Sequence, residues 1–95
     1  MVSFTVRMKF LAEDRAEVDD MLRALTPASR AEAGCVTYIP HWVEGEPATV
    51  LIYEQYVDDA AVEAHGKTEH FQKYAVGGLY QKMKERAKEV LTAVS

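Results

Sequence analysis

Hydrophobic and polar residues alternate along the start of the chain. Phe4, Val6, Met8 and Phe10 occupy every second position, and polar residues such as Arg7 lie between them. Alternation with a period of two is typical of a strand with one buried face, because successive side chains point to opposite sides. The pattern therefore predicts a strand over residues 2–11.

The pattern then changes to helical spacing over residues 14–33, where the apolar positions are Val18, Met21, Leu22 and Leu25. Asp14 and Glu17 have the spacing of a capping box at the start of a helix. Pro27 cannot donate a backbone hydrogen bond, so we expect a kink or a break there. Gly34 is placed to end the helix in the left-handed conformation.

The remaining pattern predicts two central strands, a series of short helices and a last strand. The predicted elements are strands 35–43 and 49–57, a helix 58–65 that Gly66 ends, a helix from Thr68 that Gly77-Gly78 interrupts, a helix 79–87 and a strand 89–94. The order strand, helix, strand, strand, helices, strand indicates a single α+β domain over residues 1–95. It is the ferredoxin-like split βαβ arrangement, with helices on one face of an antiparallel sheet.

The third strand carries information about assembly. Residues 49–57 form an apolar run with little alternation, which suggests burial on both faces. A chain of 95 residues has helices enough to cover one face of a sheet. The other face then needs a partner molecule, and we expect a homodimer.

Charge and composition exclude several classes of protein. The net charge of −4 disfavours a nucleic-acid-binding protein. No apolar run approaches the ~20 residues of a membrane span, no signal peptide is evident, and the one cysteine cannot form a disulfide within the chain. We place the protein in the cytoplasm by default. The basic residues near the C-terminus alternate with acidic ones, which favours a solvated face: Lys82, Lys84, Arg86 and Lys88, with Glu85 and Glu89.

Three polar residues between Tyr53 and Phe71 are the strongest candidates for chemistry. Glu54 lies in an apolar strand, where a carboxylate is costly unless something binds it. His65 is predicted at the end of one helix and His70 at the start of the next, so the helix dipoles favour a protonated and a neutral ring respectively. We predict that Glu54 orients His65. Pairing of Glu54 with a basic residue of a second copy is the alternative.

Other candidate residues carry weaker signals. Glu54, His65 and His70 could bind a metal, but their spacing does not fix a geometry and we expect no metal site. His41 and Cys35 are interpreted as structural residues. Aromatic side chains could line an apolar pocket for a flat ligand, or could simply pack in the core. They are Tyr38, Trp42, Tyr53, Tyr56, Phe71 and Tyr74.

Three motifs in register resemble the antibiotic-biosynthesis monooxygenase (ABM) domain family, which includes small quinol monooxygenases. They are Ala31-Glu32-Ala33-Gly34-Cys35-x-x-Tyr38, Tyr53-Glu54-Gln55-Tyr56-x-Asp58 and His65-x-x-Thr68-x-His70-Phe71. The resemblance implies a dimeric α/β barrel in which each subunit has a pocket between its sheet and helices. The haem-degrading branch of the family relies on an Asn-Trp-His set. This chain contains no Asn, so haem degradation is not expected.

The resemblance leads to one principal hypothesis and two alternatives. The first is an oxidoreductase, a monooxygenase that uses dioxygen and no cofactor to oxidise a quinol or phenol. His65 would be the base, Glu54 its orienting group, and His70 or a tyrosine a donor to the substrate oxygen. Tyr38, Tyr56, Phe71, Tyr74 and Trp42 would line the substrate site. The alternatives are an isomerase of a small carbonyl or sugar compound, in which Arg7 or Lys67 would hold a phosphate, and a dimeric ligand-binding domain without catalysis.

Overall fold

The computed structural model describes residues 1–95 and contains a four-stranded antiparallel sheet in the order β2-β3-β1-β4. The elements in chain order are β1 (Val2–Lys9), a 3₁₀ turn (Ala12–Asp14), α1 (Arg15–Arg30), β2 (Cys35–Trp42), β3 (Thr49–Tyr56), α2 (Asp59–Gly66), a π-helix (Phe71–Leu79), α3 (Tyr80–Lys82) and β4 (Glu85–Leu91). The predicted α+β, ferredoxin-like class is confirmed. None of the helices combines the length and the hydropathy that a membrane span requires.

The two central strands, β1 and β3, direct their alternate residues into one core. Phe4, Val6 and Met8 of β1 are opposite Glu54, Ile52 and Val50 of β3, and all six are buried. Helix α1 packs on this inner face of the sheet through its buried stripe, which includes Val18, Leu22 and Leu25. No helix covers the outer face, which carries Thr5, Tyr53 and Ile39.

Helix α1 continues through Pro27, so the predicted break does not occur. The buried face of the helix extends across the proline, because Leu25, Thr26 and Ser29 are all buried. Packing therefore holds the helix together where one backbone hydrogen bond is missing. The Thr26 hydroxyl also donates to the carbonyl oxygen of Leu22 at 2.6 Å. At the start of the helix, Asp14 caps no backbone amide with its side chain.

Gly34 does not end a helix in the left-handed conformation, because α1 stops at Arg30 and only Gly45 has a positive φ. Gly34 is needed for a different reason. A Cβ atom at this position would overlap the Cβ of Ala61 in α2. The glycine therefore lets the segment before β2 lie directly against α2, and its carbonyl accepts the amide of Val57 at 2.9 Å.

The C-terminal third differs most from the prediction. The helical segment continues through Gly77-Gly78 as a π-helix and α3 ends at Lys82. A Cβ on Gly78 would lie 2.9 Å from Sδ of Met21, so this glycine permits close packing on α1. Strand β4 begins at Glu85, four residues before the predicted start, because residues 85–91 pair with residues 3–9 of β1.

Candidate active site

Two histidines converge on Glu32, a residue that follows the end of α1. Nδ1 of His65 lies 2.8 Å from Oε2 of Glu32, and Nε2 of His70 lies 2.6 Å from the same oxygen. His65 is at the end of α2, where Asp58 caps the first turn by accepting the amide of Ala61. The turn after α2 is fixed by Thr68, so the two rings approach Glu32 from consecutive helices.

Glu32 determines which nitrogen of His65 faces the interior of the protein. An ionised carboxylate only accepts hydrogen bonds, so Nδ1 of His65 carries the hydrogen that it donates to Glu32. In the neutral ring, Nε2 then keeps its lone pair and can accept a proton. His65 is 5 % exposed, so its basic nitrogen is shielded from bulk water.

Glu54 lies on the other side of the same imidazole ring. Its Oε1 is 3.8 Å from Nε2 of His65, too far for a hydrogen bond, and accepts the Tyr56 hydroxyl at 2.6 Å. Burial raises the pKa of the Glu54 carboxyl above 4.5, although the Tyr56 hydrogen bond and the nearby His65 act in the opposite direction. His65 is therefore held between two carboxylates, with Glu32 bonded to Nδ1 and Glu54 facing Nε2.

A cavity of about 190 Å³ opens beside Glu54 and His65, between the inner face of the sheet and the helices. Its walls are mainly apolar and include Phe4, Val6, Leu25, Ile52, Phe71 and Leu79. The edge of the Phe71 ring lies against His65, with 5.0 Å between ring centroids. A dry cavity of ~150 Å³ accommodates benzene, so this cavity can hold an aromatic ring.

Only some of the residues predicted for the substrate site line this cavity. Tyr38 and Phe71 do, together with the catalytic candidates Glu54 and His65. Tyr56 lies behind Glu54 and is completely buried. The predicted hydrogen bond between Glu54 and His65 is absent, and its place is taken by Glu32.

His70, Tyr74 and Trp42 are not part of the cavity wall. His70 contacts Glu32 on the side away from the cavity, and its side chain is 21 % exposed. The Trp42 indole donates to Asp19 at 2.8 Å and stacks under Arg15, which connects the end of β2 to α1. His41 is exposed and contacts a backbone carbonyl of β3, in agreement with a structural role.

The tyrosine hydroxyls near the cavity remain protonated. Burial raises the pKa of Tyr38 and of Tyr56 far above the usual value near 10, and the charge of Glu54 adds to this effect. Tyr38 can therefore act as a hydrogen-bond donor to a ligand. Burial likewise raises the pKa of the Cys35 thiol, which agrees with its interpretation as a structural residue and not a nucleophile.

The basic residues that face the cavity are Arg86 and Lys88 of β4. Both residues are exposed to solvent, as predicted for the basic segment, and strand pairing turns them toward the inner side of the sheet. Arg7 is bonded to Glu46 and Lys67 to Glu63, and neither lines the cavity.

The cluster of Glu32, His65 and His70 also has the composition of a metal site. One ligand atom from each residue lies within 4.8 Å of the others. The sequence had suggested Glu54 as the carboxylate of such a cluster, but the structure places Glu32 there. The separations of 2.6 and 2.8 Å are those of ordinary charge-assisted N–H···O⁻ hydrogen bonds, so the three groups satisfy one another without an ion.

Glu32 was not predicted as a site residue from the sequence. It is 33 residues from His65 and 38 from His70 along the chain, so no local spacing relates the three. The only indication in the sequence was that Glu32 lies in the first of the three motifs that resemble the ABM family, Ala31 to Tyr38. A carboxylate in a stretch of small residues just before a strand could have been examined as a partner for the histidines.

The fold and the site together define a small α+β protein that carries a buried acid–base group in an apolar cavity. The model of the antibiotic biosynthesis monooxygenase family matches residues 1–76. The chain therefore belongs to the ABM family, as its motifs had suggested.

Individual relatives agree with this assignment. A Bacillus subtilis protein named "Putative monooxygenase YcnE" is 32% identical over 78 residues, which cover 82% of each chain. The crystal structure of PA3566 from Pseudomonas aeruginosa superposes with a TM-score of 0.90 at 29% identity and covers 99% of this chain and 94% of its own. Rv0793 from Mycobacterium tuberculosis shares the fold, with a TM-score of 0.88 at 21% identity and coverage of 99% and 95%.

Proposed function

We propose that this protein is a monooxygenase that oxidises a small phenol or quinol with dioxygen and without a cofactor. The observation that carries the proposal is His65, whose Nδ1 is fixed by Glu32 while Nε2 faces an apolar cavity. This arrangement suits removal of a proton from a substrate hydroxyl in a dry environment. Membership of the ABM family and the name of the B. subtilis relative support the same reaction class.

Removal of the substrate's hydroxyl proton is the first step of the proposed reaction. Nε2 of His65 takes the hydroxyl proton of the bound phenol, and the charges of Glu32 and Glu54 stabilise the imidazolium that forms. The aromatic and aliphatic walls exclude water, so the phenolate is poorly solvated and electron-rich. The Tyr38 hydroxyl is available to donate a hydrogen bond to the substrate.

The oxidation balances without an external reductant. The phenolate gives one electron to dioxygen, and the phenoxyl radical and superoxide combine to form a carbon–oxygen bond. The resulting peroxide loses water and leaves a quinone. One oxygen atom enters the substrate and the other leaves as water, and all four electrons come from the substrate. A quinol reacts in the same way to give a hydroxyquinone.

The test is dioxygen uptake by metal-free protein with a panel of phenols and quinols. We expect uptake of one dioxygen per quinone formed, with one ¹⁸O atom in the product from ¹⁸O₂ and no accumulation of hydrogen peroxide. His65→Ala should lower the rate roughly 100-fold or more. Uptake no faster than in buffer for every compound would disprove the proposal.

An isomerase remains the second candidate, because Glu54 and His65 present two proton-transfer groups to one cavity at 3.8 Å from each other. Proton exchange from a bound carbonyl compound into D₂O, without any dioxygen uptake, would favour this function. Binding of ligands with neither exchange nor uptake would instead favour the non-catalytic ligand-binding domain.

We also propose that the protein works as a homodimer paired through the outer face of the sheet. Leu51 and Tyr53 of β3 and Ile39 of β2 lie on this face, which no helix covers, and Ile39 is 41% exposed. Pairing would remove these side chains from water and enlarge the small core of a 95-residue chain.

A further inference from the structure

Strand β4 separates its charges by sign between the two faces of the sheet. Glu85 and Glu89 are opposite Lys9 and Thr5 of β1, on the outer face. Arg86 and Lys88 are opposite Met8 and Val6, whose side chains are buried in the core. The cavity therefore has two positive charges along one wall, and no acidic residue of β4 shares that face.

These two cations have no carboxylate partner. Five of the eleven basic residues form ion pairs, such as Lys9 with Glu85, and Arg86 and Lys88 are among the six that form none. They lie over aromatic rings instead. Nζ of Lys88 is 4.2 Å from the centroid of the Phe4 ring, and the Arg86 guanidinium is 5.6 Å from that of Tyr80. Both charged groups are thus held at the cavity without an ion pair, although the charge of Lys88 acts on Glu54 and opposes the burial that raises the pKa of that carboxyl.

The cavity wall consequently has one polar part formed by Glu54 and His65 and a basic part formed by Arg86 and Lys88, with apolar side chains between them. Glu54 lies on β3 and Lys88 on β4, with β1 between them. Two interstrand spacings separate the backbones of these strands by roughly 10 Å, and the Lys88 side chain reaches back over Phe4, so that its charge acts on Glu54. Phe4, Val6 and Ile52 form the floor between these two parts. A planar molecule with a hydroxyl at one end and an anionic group at the other would match this distribution.

We propose that the substrate of this site is an aromatic compound with a carboxylate, which Arg86 and Lys88 bind while the ring hydroxyl points to His65. The orientation of the hydroxyl rests on the proposed function, whereas the carboxylate contact does not. Guanidinium and ammonium groups form strong charge-assisted hydrogen bonds to carboxylates. An uncharged aromatic substrate, with the two cations acting only as caps on the aromatic rings, is the competing interpretation.

The test compares a negatively charged probe with an uncharged ester of the same ring system. The probes are 6-hydroxy-2-naphthoate and its methyl ester, and binding is measured by calorimetry without dioxygen. We expect the double variant Arg86→Gln/Lys88→Gln to lose at least about tenfold in affinity for the naphthoate, with less than a twofold change for the ester. Added salt should weaken binding of the naphthoate to the unchanged protein but not that of the ester.

Lys84→Gln is the matched control, because it removes a positive charge from the neighbouring turn, outside the cavity wall. It should bind the naphthoate like the unchanged protein. Arg86 and Lys88 are both exposed, so the double variant should fold, and circular dichroism checks this. Equal affinity of the double variant and the unchanged protein for the naphthoate would overturn the proposal.

The binding assay separates this proposal from the proposed function. If binding depends on charge but no dioxygen is taken up, the carboxylate site is supported and the monooxygenase function is disproved. If phenols cause dioxygen uptake but the naphthoate and the ester bind with the same dependence on Arg86 and Lys88, the monooxygenase function is supported and the carboxylate site is disproved. His65→Ala should keep the preference for the naphthoate over the ester.

Discussion

The chemistry proposed for this site depends on one imidazole and the two carboxylates beside it. Glu32 fixes the ring of His65 through Nδ1, and Glu54 lies 3.8 Å from the opposite nitrogen. Each carboxylate has a different environment, because Glu32 accepts from two histidines whereas Glu54 is buried and accepts from Tyr56. We therefore propose Glu32 as a positioning residue and Glu54 as a group that would face the ligand.

Glu32→Ala should disrupt the orientation of His65, because it removes the carboxylate oxygen that accepts hydrogen bonds from both imidazoles. We expect kcat to fall roughly ten- to 100-fold with little change in KM, since the cavity wall is retained. The ¹⁵N NMR shifts of His65 should show loss of the single tautomer with hydrogen on Nδ1. An unchanged tautomer and pH–rate profile would mean that Glu32 has only a structural role.

Glu54→Gln should stabilise the protein, and the gain should depend on pH. Because burial raises the pKa of this carboxyl in the folded state, the folded protein binds the proton more tightly than the unfolded chain. Stability from Glu54 is therefore complete below pH 4.5 and decreases as the pH rises through the folded pKa. Urea unfolding at pH 8 should show a larger gain for the variant than unfolding at pH 4. Equal gains in stability at pH 4 and pH 8 would contradict a raised pKa of Glu54 in the folded protein.

Close contacts between elements hold the site together. The segment before β2, which contains Glu32, lies against α2, which contains His65, and Gly34 makes this approach possible. The π-helix supplies Phe71, Ala75 and Leu79 to the cavity wall and packs on α1 through Gly78. Gly34 and Gly78, which looked like helix breakers in the sequence, thus permit packing between elements.

Gly34→Ala should destabilise the protein by about 1–3 kcal/mol, because its methyl group overlaps Ala61. Gly66→Ala is the matched control, since nothing lies within 4 Å of a Cβ there, and it should be neutral or stabilising by up to about 1 kcal/mol. The double variant Gly34→Ala/Ala61→Gly should recover part of the loss. Thermal unfolding measures all three, and equal effects at Gly34 and Gly66 would rule out the steric explanation.

The sequence predicted the elements near the N-terminus better than those near the C-terminus, for identifiable reasons. Alternation in β1 and the doubly apolar β3 are local patterns, and both strands were located within two residues of their ends. Strand β4 is set by pairing with β1 across more than 70 residues of chain, which its own composition does not reveal. Glu32 was missed for the same reason, since its partners are distant in sequence.

At the scale of the whole molecule, the helices cover only one face of the sheet. The chain measures 36 × 31 × 18 Å, so the uncovered face is one of its two broad sides. Tyr53 and Leu51 lie at the centre of that side, on β3. The cavity opens on the opposite side, so pairing through the outer face leaves it accessible.

Light scattering after gel filtration should therefore give a mass close to twice the 10.7 kDa of the chain. Leu51→Arg should shift the protein to a monomer, because it places a charge at the centre of the proposed interface. Val76→Arg, an exposed site on the π-helix, should leave the dimer intact. A monomeric mass for the unchanged protein would disprove the dimer.

The buried tyrosines have a consequence for the survival of the protein during the proposed reaction. A phenol loses an electron far less easily than a phenolate. Tyr38 and Tyr56 are kept protonated by burial and by Glu54, whereas a substrate phenol beside His65 would be deprotonated. The same functional group would thus be activated in the ligand and protected in the protein. This difference would confine radical damage to the molecule that is meant to be oxidised.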